Sequence, residues 1–402
     1  MSKPQQKTIL MVALDFPPCR SAGVQRTLKF SEYLAQLGWQ VIVLTVNDNV
    51  HSVSDKDVVI PKNVRVYRCH SFDSSRDFSI KGKYFSWSQI PDRWWSWAVS
   101  AIPLGKKLIK KYQPNFIWST YPVSTAHYIA YKLQKTSNIA WVADYRDPLQ
   151  CRYDKKVREY SFVAKWIEKK TILNCAQAVF TTELSAQLYR RLYPNEKLTK
   201  FSVIENGYDE GNFRGIDIVN NTNNAIYSLL HSGAIYENGR DPVNLFQAVR
   251  ELNDEGILNV NNFELVFRGA SKGRYGSEIN KFNINELVHF KESIPYQQSL
   301  SEMAATSGLL LIQGELFNKQ IPGKAYEYIR CNKPILALTP KEGSTGGLLS
   351  KVNETEIYED VKGIKSAIIK MMNAKNNVVR EASSYSRYAK TEQLNTLLNT
   401  LA

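Results

Sequence analysis

Three short stretches hold residues whose types and spacing could do chemistry. "PPCRSAGVQR" (Pro17 to Arg26) follows the apolar run "ILMVALD" and leads into "RTLKFSEYLAQLGW", whose apolar spacing is helical. A small-residue turn from strand to helix brings backbone N–H groups and a helix N-terminus toward whatever binds there, which suits an anion. A dinucleotide-binding turn would read G-x-G-x-x-G, and here only Gly23 is present. "WVADYRDP" sets Asp144, Arg146 and Asp147 just past an expected strand end. A carboxylate there could accept a hydroxyl proton or hold a sugar's hydroxyls, although Asp147 before Pro148 also suits a turn. Lys324, in "PGKAYEY", stands at the mouth of an expected helix, where side-chain charge and helix dipole would add. His127 lies within an apolar helical pattern and reads as structural.

No metal site is expected. The five cysteines and five histidines are scattered, with no C-x-x-C pair, so the thiols read as reduced. The net charge of +14 calls for an anionic partner. The excess is clustered in "GKKLIKKYQP", "CRYDKKVREY" and "YRRLYPNEKLTK". No nucleic-acid-binding motif accompanies these runs, which leaves solvated helix faces, a phosphate-bearing substrate or an acidic membrane surface. The N-terminus "MSKPQQK" has no signal-peptide core and no apolar run is long enough to cross a bilayer. The chain is expected in the cytoplasm, with a peripheral position at the inner face of the plasma membrane as the extension of that reading.

These residues need a frame, and the pattern supplies one. At 402 residues the chain suits two domains of roughly 200 residues each. Short apolar runs such as "VIVLTV", "FIWSTY" and "AVFTT" alternate with helical stretches, the grammar of a parallel sheet with crossovers. The series restarts at "YSLLHSG" and continues through "FELVFRG", "GLLLIQ" and "PILALTP". The fold class is therefore α/β, with two doubly wound Rossmann-like domains facing across a cleft at their strand C-termini. The expected domains are 1–204, 205–380 and a C-terminal helix over 381–402 that packs on either half. Between the third and fourth strands lies "SFDSSRDFSIKGKYFSWSQIPDRWWSWAVSAIP", a long and aromatic connection. It reads either as an aromatic core helix or as an interfacial patch beside the basic "GKKLIKK".

In order and spacing, several stretches resemble retaining glycosyltransferases of the GT-B fold, specifically glycosyltransferase family 4. "FPPCRSAGVQRTLKFSEYLAQLGWQVIVLT" is similar to the family's opening, "SVIENGYD" to its interdomain crossover, and "HSGAIYENGRDPVNLFQAV" and "IPGKAYEYIRCNKPILAL" to its donor-site segments. The resemblance implies an N-terminal acceptor-binding domain and a C-terminal nucleotide-sugar-binding domain. It implies phosphate-binding roles for Arg240 and Lys324, and for Glu327 the place of the second glutamate of E-x7-E, accepting both ribose hydroxyls. The pair Ala22–Gly23 would lie against the donor's diphosphate or sugar, and Asp144, favoured over Asp147, would touch sugar or acceptor and count with Arg240 and Lys324 as catalytic.

Two positions depart from the family. Lys319 stands where the first glutamate of E-x7-E is expected, and a lysine accepts no hydrogen bond. Ala234 replaces an arginine often found after "HSG", so Lys319 is a candidate replacement cation at the donor. The resemblance implies transfer of a sugar, with retention, from a nucleotide-sugar to a hydroxyl of a glycan or lipid-linked acceptor, with no metal or other cofactor and no nucleic-acid partner. A sugar-nucleotide epimerase and a catalytically degenerate partner subunit of the same fold are the alternatives.

Overall fold

Strands of a parallel sheet are covered by helices on both faces, so they read as unbroken apolar runs. In the computed structural model such runs form two sheets; it describes residues 6–402 apart from 22, 52, 55–57, 150, 151, 153–160, 219–225, 236–240 and 375–377. The chain divides into two units, 1–205 with 387–402, and 206–386.

The first unit holds seven parallel strands: β1 (Thr8–Val12), β2 (Gln40–Val46), β3 (Val64–Cys69), β4 (Phe116–Tyr121), β5 (Ala140–Tyr145), β6 (Gln177–Phe180) and β7 (Phe201–Val203). Their order is β3-β2-β1-β4-β5-β6-β7, with Ile9 of β1 opposite Val41 and Phe116 of its two neighbours. The connecting helices are α1 (Val24–Gln36), α2 (Ser74–Asp77), α3 (Trp97–Tyr112), α4 (Ser124–Ser137), α5 (Ser161–Asn174) and α6 (Glu183–Leu192). Side chains alternate across a strand. Ile9 and Met11 accordingly join one apolar layer with Phe30 and Leu34 of α1. Leu10 and Val12 join the opposite layer with Trp97 of α3 and Leu133 of α4.

The second unit repeats the plan with β8 (Tyr227–Ser232), β9 (Phe263–Arg268), β10 (Val288–Lys291), β11 (Gly308–Ile312), β12 (Ile335–Leu338) and β13 (Thr355–Ile357), in the order β10-β9-β8-β11-β12-β13. Its helices are α7 (Val243–Asp254), α8 (Gly276–Phe282), α9 (Tyr296–Ala305), α10 (Gly323–Arg330), α11 (Ser344–Leu349) and α12 (Val361–Asn373). In both sheets the chain winds to one edge and then crosses back over its first strand. The switch points, β1 beside β4 and β8 beside β11, are where open α/β sheets bind ligands, outside the carboxyl ends of the strands.

A last helix, α13 (Arg387–Leu401), starts later than the stretch expected from Glu381, because a short 3₁₀ turn at Ser383–Tyr385 precedes it. It packs on α1: Leu394 and Leu398 enter the Ile9 layer, Trp39 Nε1 donates to Asn395 Oδ1 at 2.8 Å, and Lys390 pairs with Glu205 at 2.9 Å. The long connection after β3 divides its tryptophans between interior and surface. Trp97 is fully buried in the sheet's apolar layer, and Trp87 is exposed.

Buried polar groups stand within this apolar frame. Arg26 of α1 is 4% exposed and grips the fully buried Asp144, with Nη2 at 2.7 Å from Oδ1 and Nε at 3.0 Å from Oδ2. The same guanidinium donates to the carbonyls of Ile204 and Glu205, each at 2.9 Å, and Thr120 of β4 donates to Asp144 Oδ2 at 2.9 Å. One pair thus binds together α1, β4, β5 and the segment after β7. Removing one partner of such a pair leaves a buried charge uncompensated, so Asp144→Asn should destabilise the first unit by about 3–5 kcal/mol. A denaturant midpoint unchanged from wild type would refute this.

His127 is fully buried, with Nδ1 2.7 Å from Ser119 Oγ, and burial pushes its pKa down to about 3. Above its ordinary value of 6.5 it adds nothing to the pH dependence of folding. Below that value the unfolded chain takes up a proton that the folded chain refuses. Stability should then fall as pH drops toward about 3, by up to about 1.4 kcal/mol per pH unit. Denaturation of His127→Gln over this range should give a shallower slope than wild type; equal slopes would mean that the folded histidine is charged.

Candidate functional site

The first candidate cluster is built at the switch point of the first unit. Gly23 is the N-cap of α1. A Cβ on Gly23 would run into the ends of the Asp15 and Arg146 side chains and would have to displace them. The groups that approach this turn are therefore the chain's own: Asp15, beyond β1, faces Arg146, beyond β5, at 3.6 Å. Arg146 is fixed by donating from Nε to the Tyr121 carbonyl at the end of β4, at 2.7 Å. Ala22, expected beside Gly23, lies outside the described residues.

Asp144 and Asp147 part company. Asp144 belongs to β5 itself rather than to the loop beyond it, and Arg26 and Thr120 occupy its oxygens. In this structure it serves as a structural anchor, where a contact with sugar or acceptor was expected of it. Asp147 lies two residues past the strand, half-buried, with no hydrogen-bond or ion-pair partner among the described residues. Burial pushes its carboxyl pKa up, opposed by the Arg146 charge. A carboxylate so placed can take a proton.

The fold also gathers Asp15, Cys19 and His51, whose ligand atoms lie within 4.8 Å of one another, residues that looked scattered in the sequence. Burial and the Asp15 charge push the Cys19 thiol up to about 11, and its sulfur donates to Asp15 Oδ1 at 3.9 Å. A metal would need the thiolate, while Arg146 already faces the same carboxylate. Cys19 and Asp15 are thus committed to each other, with His51 beside them.

The second cluster lies at the switch point of the second unit. Lys324, in the first turn of α10, donates from Nζ to the Ser232 carbonyl at 2.6 Å and lies 3.3 Å from His231 Nε2. His231 is fully buried, with Nδ1 3.0 Å from the Leu310 carbonyl, so Nδ1 carries the hydrogen and Nε2 accepts from the lysine. Tyr328 orients the same strand end, accepting from Ser232 N at 3.0 Å. Gly233 follows at φ +102°, and a Cβ on it would stand 3.1 Å from Lys324 Nζ, so the ammonium lies against bare backbone. One turn along α10, Glu327 accepts from the Tyr296 hydroxyl at 2.6 Å. Lysine and glutamate three residues apart share a helix face. A cation at a helix N-terminus with a hydroxyl-accepting carboxylate beside it can bind a phosphate and a diol together.

Lys319 lies half-buried on the connection from β11 to α10, and Ala234 is exposed after β8. Arg240 falls outside the described residues, as does the basic run at 155–158. His231, Tyr296 and Asp15 were missed from the sequence. Only the "LLHSG" strand end and the "ALD" strand end offered any signal for the first and last of these.

The profile described as Glycosyltransferase Family 4 matches residues 23–211. No curated protein sequence matches the chain. Among solved structures, sucrose-phosphate synthase from Thermosynechococcus elongatus is similar, with a TM-score of 0.65 at 15% identity over 98% of this chain and 99% of that one. The lipopolysaccharide outer core galactosyltransferase WaaB in its apo form gives 0.63 at 11% identity, over 98% and 100% of the chains. Anabaena HepE, in complex with UDP and glucose, gives 0.58 at 13% identity, again over 98% and 100%. At such identities these likenesses speak for the fold, two Rossmann-like α/β halves of the GT-B class. Residues 23–211 carry a glycosyltransferase family 4 domain, and the chain is a glycosyltransferase of the GT-B type.

Proposed function

We propose that the chain transfers a sugar from a nucleotide-sugar to a hydroxyl of a surface-glycan or lipid-linked acceptor, with retention of configuration, at the inner face of the plasma membrane. The observation that carries this reading is the Lys324–Glu327 pair on the first turns of α10, with Lys324 seated on Ser232 and Gly233 at the end of β8. UDP and glucose in HepE, and the galactosyltransferase named in WaaB, support a sugar donor of this kind.

As the glycosidic bond breaks, negative charge grows on the departing diphosphate. Lys324 and the N–H groups of the α10 N-terminus meet that charge, the family resemblance gives Arg240 as the second cation, and the reading calls for no metal. Glu327 exchanges the Tyr296 hydroxyl for the ribose diol. Retention then follows if the acceptor hydroxyl attacks from the face of the leaving diphosphate, to which it gives its proton. On the first unit, Asp147 is the carboxylate suited to hold sugar or acceptor hydroxyls. Lys319 and Ala234 bear on the donor sugar: Lys319 cannot accept from its hydroxyls, and Glu315 in the same connection is the nearest carboxylate in sequence. The same two positions favour, as a second reading, a partner subunit that binds donor without turning it over.

Calorimetric titration of a panel of nucleotides and nucleotide-sugars tests the donor site. One base should bind preferentially, and Glu327→Ala should weaken it by roughly tenfold to a hundredfold, since a hydrogen bond to a charged group is worth about 1.5–3 kcal/mol. A panel that does not bind would remove the donor reading; binding without turnover would select the partner subunit. Asp147→Asn should lower turnover by roughly tenfold to a hundredfold, the worth of a hydrogen bond to a charged group at about 1.5–3 kcal/mol, with an unchanged denaturant midpoint, the opposite of Asp144→Asn. Full turnover in that variant would remove Asp147 from the mechanism.

A further inference from the structure

We propose that residues 78–91, with the exposed stripe of α3, form a docking surface that seats aromatic side chains in the headgroup layer of an anionic membrane. The proposal deepens the reading above, resting on its lipid-linked acceptor and its place at the inner face of the membrane.

Ile80 is 69%, Phe85 61% and Trp87 69% exposed within eight residues, where a folded chain normally scatters such side chains singly. They form groups: Phe85 stacks on Trp87 at 5.9 Å, and Phe78 touches Phe72 at 5.4 Å and Trp95 at 6.5 Å. Nor is the segment loosely held. Ile80 and Lys83 exchange backbone hydrogen bonds across a turn in which Gly82 takes φ +76°. Trp95 Nε1 ties the segment back by donating to the carbonyl of buried Ser88 at 2.8 Å. Ahead of α3, Asp92 accepts from both the backbone and the hydroxyl of Thr125, each at 2.8 Å. The apolar side chains are thus held out of the core by a structured support.

Charge selects the partner. From Phe78 to Pro91 there is no acidic residue, and the turn carries exposed Lys81 and Lys83. On α3, Val99, Pro103, Lys106, Lys107 and Lys110 are all exposed and spaced so that they share one helical face. The surface therefore passes from apolar to cationic along a helix about 24 Å long. Protein–protein interfaces deplete lysine. Tryptophan at headgroup depth with lysines meeting anionic lipid is the chemistry of a membrane surface. Among the described residues no helix is long and apolar enough to cross a membrane, so this mode of attachment is at the surface.

The test uses the full chain and vesicles of phosphatidylcholine alone or mixed with phosphatidylglycerol. Wild type should sediment with the mixed vesicles only, in a salt-sensitive way, and its tryptophan emission should shift to shorter wavelength. Lys81→Glu with Lys83→Glu should weaken partitioning by roughly fivefold or more per lysine, and Phe85→Ala with Trp87→Ala should abolish the emission shift. Circular dichroism should remain as in wild type, because the replaced side chains are exposed. Wild type left in the supernatant, or variants that bind as well as wild type, would overturn the proposal. So would loss of self-association in the aromatic variant with lipid binding intact, since the occupant would then be a second copy. Nucleotide titration of the same variants separates the two readings: an intact donor affinity with lost lipid binding leaves the donor site standing, and lipid binding in a chain that binds no nucleotide leaves the docking surface standing.

Discussion

The first unit depends on one buried ion pair. Arg26 and Asp144 are 118 residues apart in sequence and joined by three N···O contacts between 2.7 and 3.2 Å. A guanidinium so enclosed must find partners for its other N–H groups, and it finds them in the carbonyls of Ile204 and Glu205. Those carbonyls lie just beyond the last strand, so the pair fixes the start of the first helix against β5 and the exit of the chain at once. Arg26 is the third residue of α1, one turn from Gly23. Whatever holds Arg26 also sets the N-terminus of α1 against Asp15 and Arg146.

In the second unit the same strand order is organised by a different device. There a lysine, with Nζ at 2.6 Å from the Ser232 carbonyl, bridges a helix start and a strand end. His231, buried beneath it, accepts through Nε2 because its Nδ1 is committed to Leu310. The imidazole and a backbone carbonyl hold the ammonium against the bare Gly233 backbone. By contrast, the Arg26 charge is neutralised by Asp144 and sealed from solvent. The two cations therefore differ in kind: one is paired with a carboxylate inside the sheet, and the other seats a helix start on a strand end.

The fold was legible because both sheets are parallel and buried on both faces, so that "ILMVALD", "FIWSTY", "GLLLIQ" and "PILALTP" could hardly be anything but central strands. The strand ends were not legible to within a residue, and Asp144 shows what that costs. Set inside β5 opposite Thr120, it points into the protein; Asp147, three residues on, escapes the ladder. Composition offers no means of choosing between two aspartates in one hexapeptide. Long-range pairs were equally hidden. Nothing local to "LLHSG" predicts that its histidine accepts from a lysine 93 residues away, or that the thiol of Cys19 and the imidazole of His51 meet at Asp15. Family resemblance reached residues whose place follows from local motif, as with the position of Glu327 on its helix. It did not reach those whose roles arise only when crossovers bring separate strand ends together. The aromatic connection after β3 belongs to that second class. Its tryptophans sit within one short run, and only the course of the chain decides that Trp97 is buried within the sheet's apolar layer while Trp87 faces solvent.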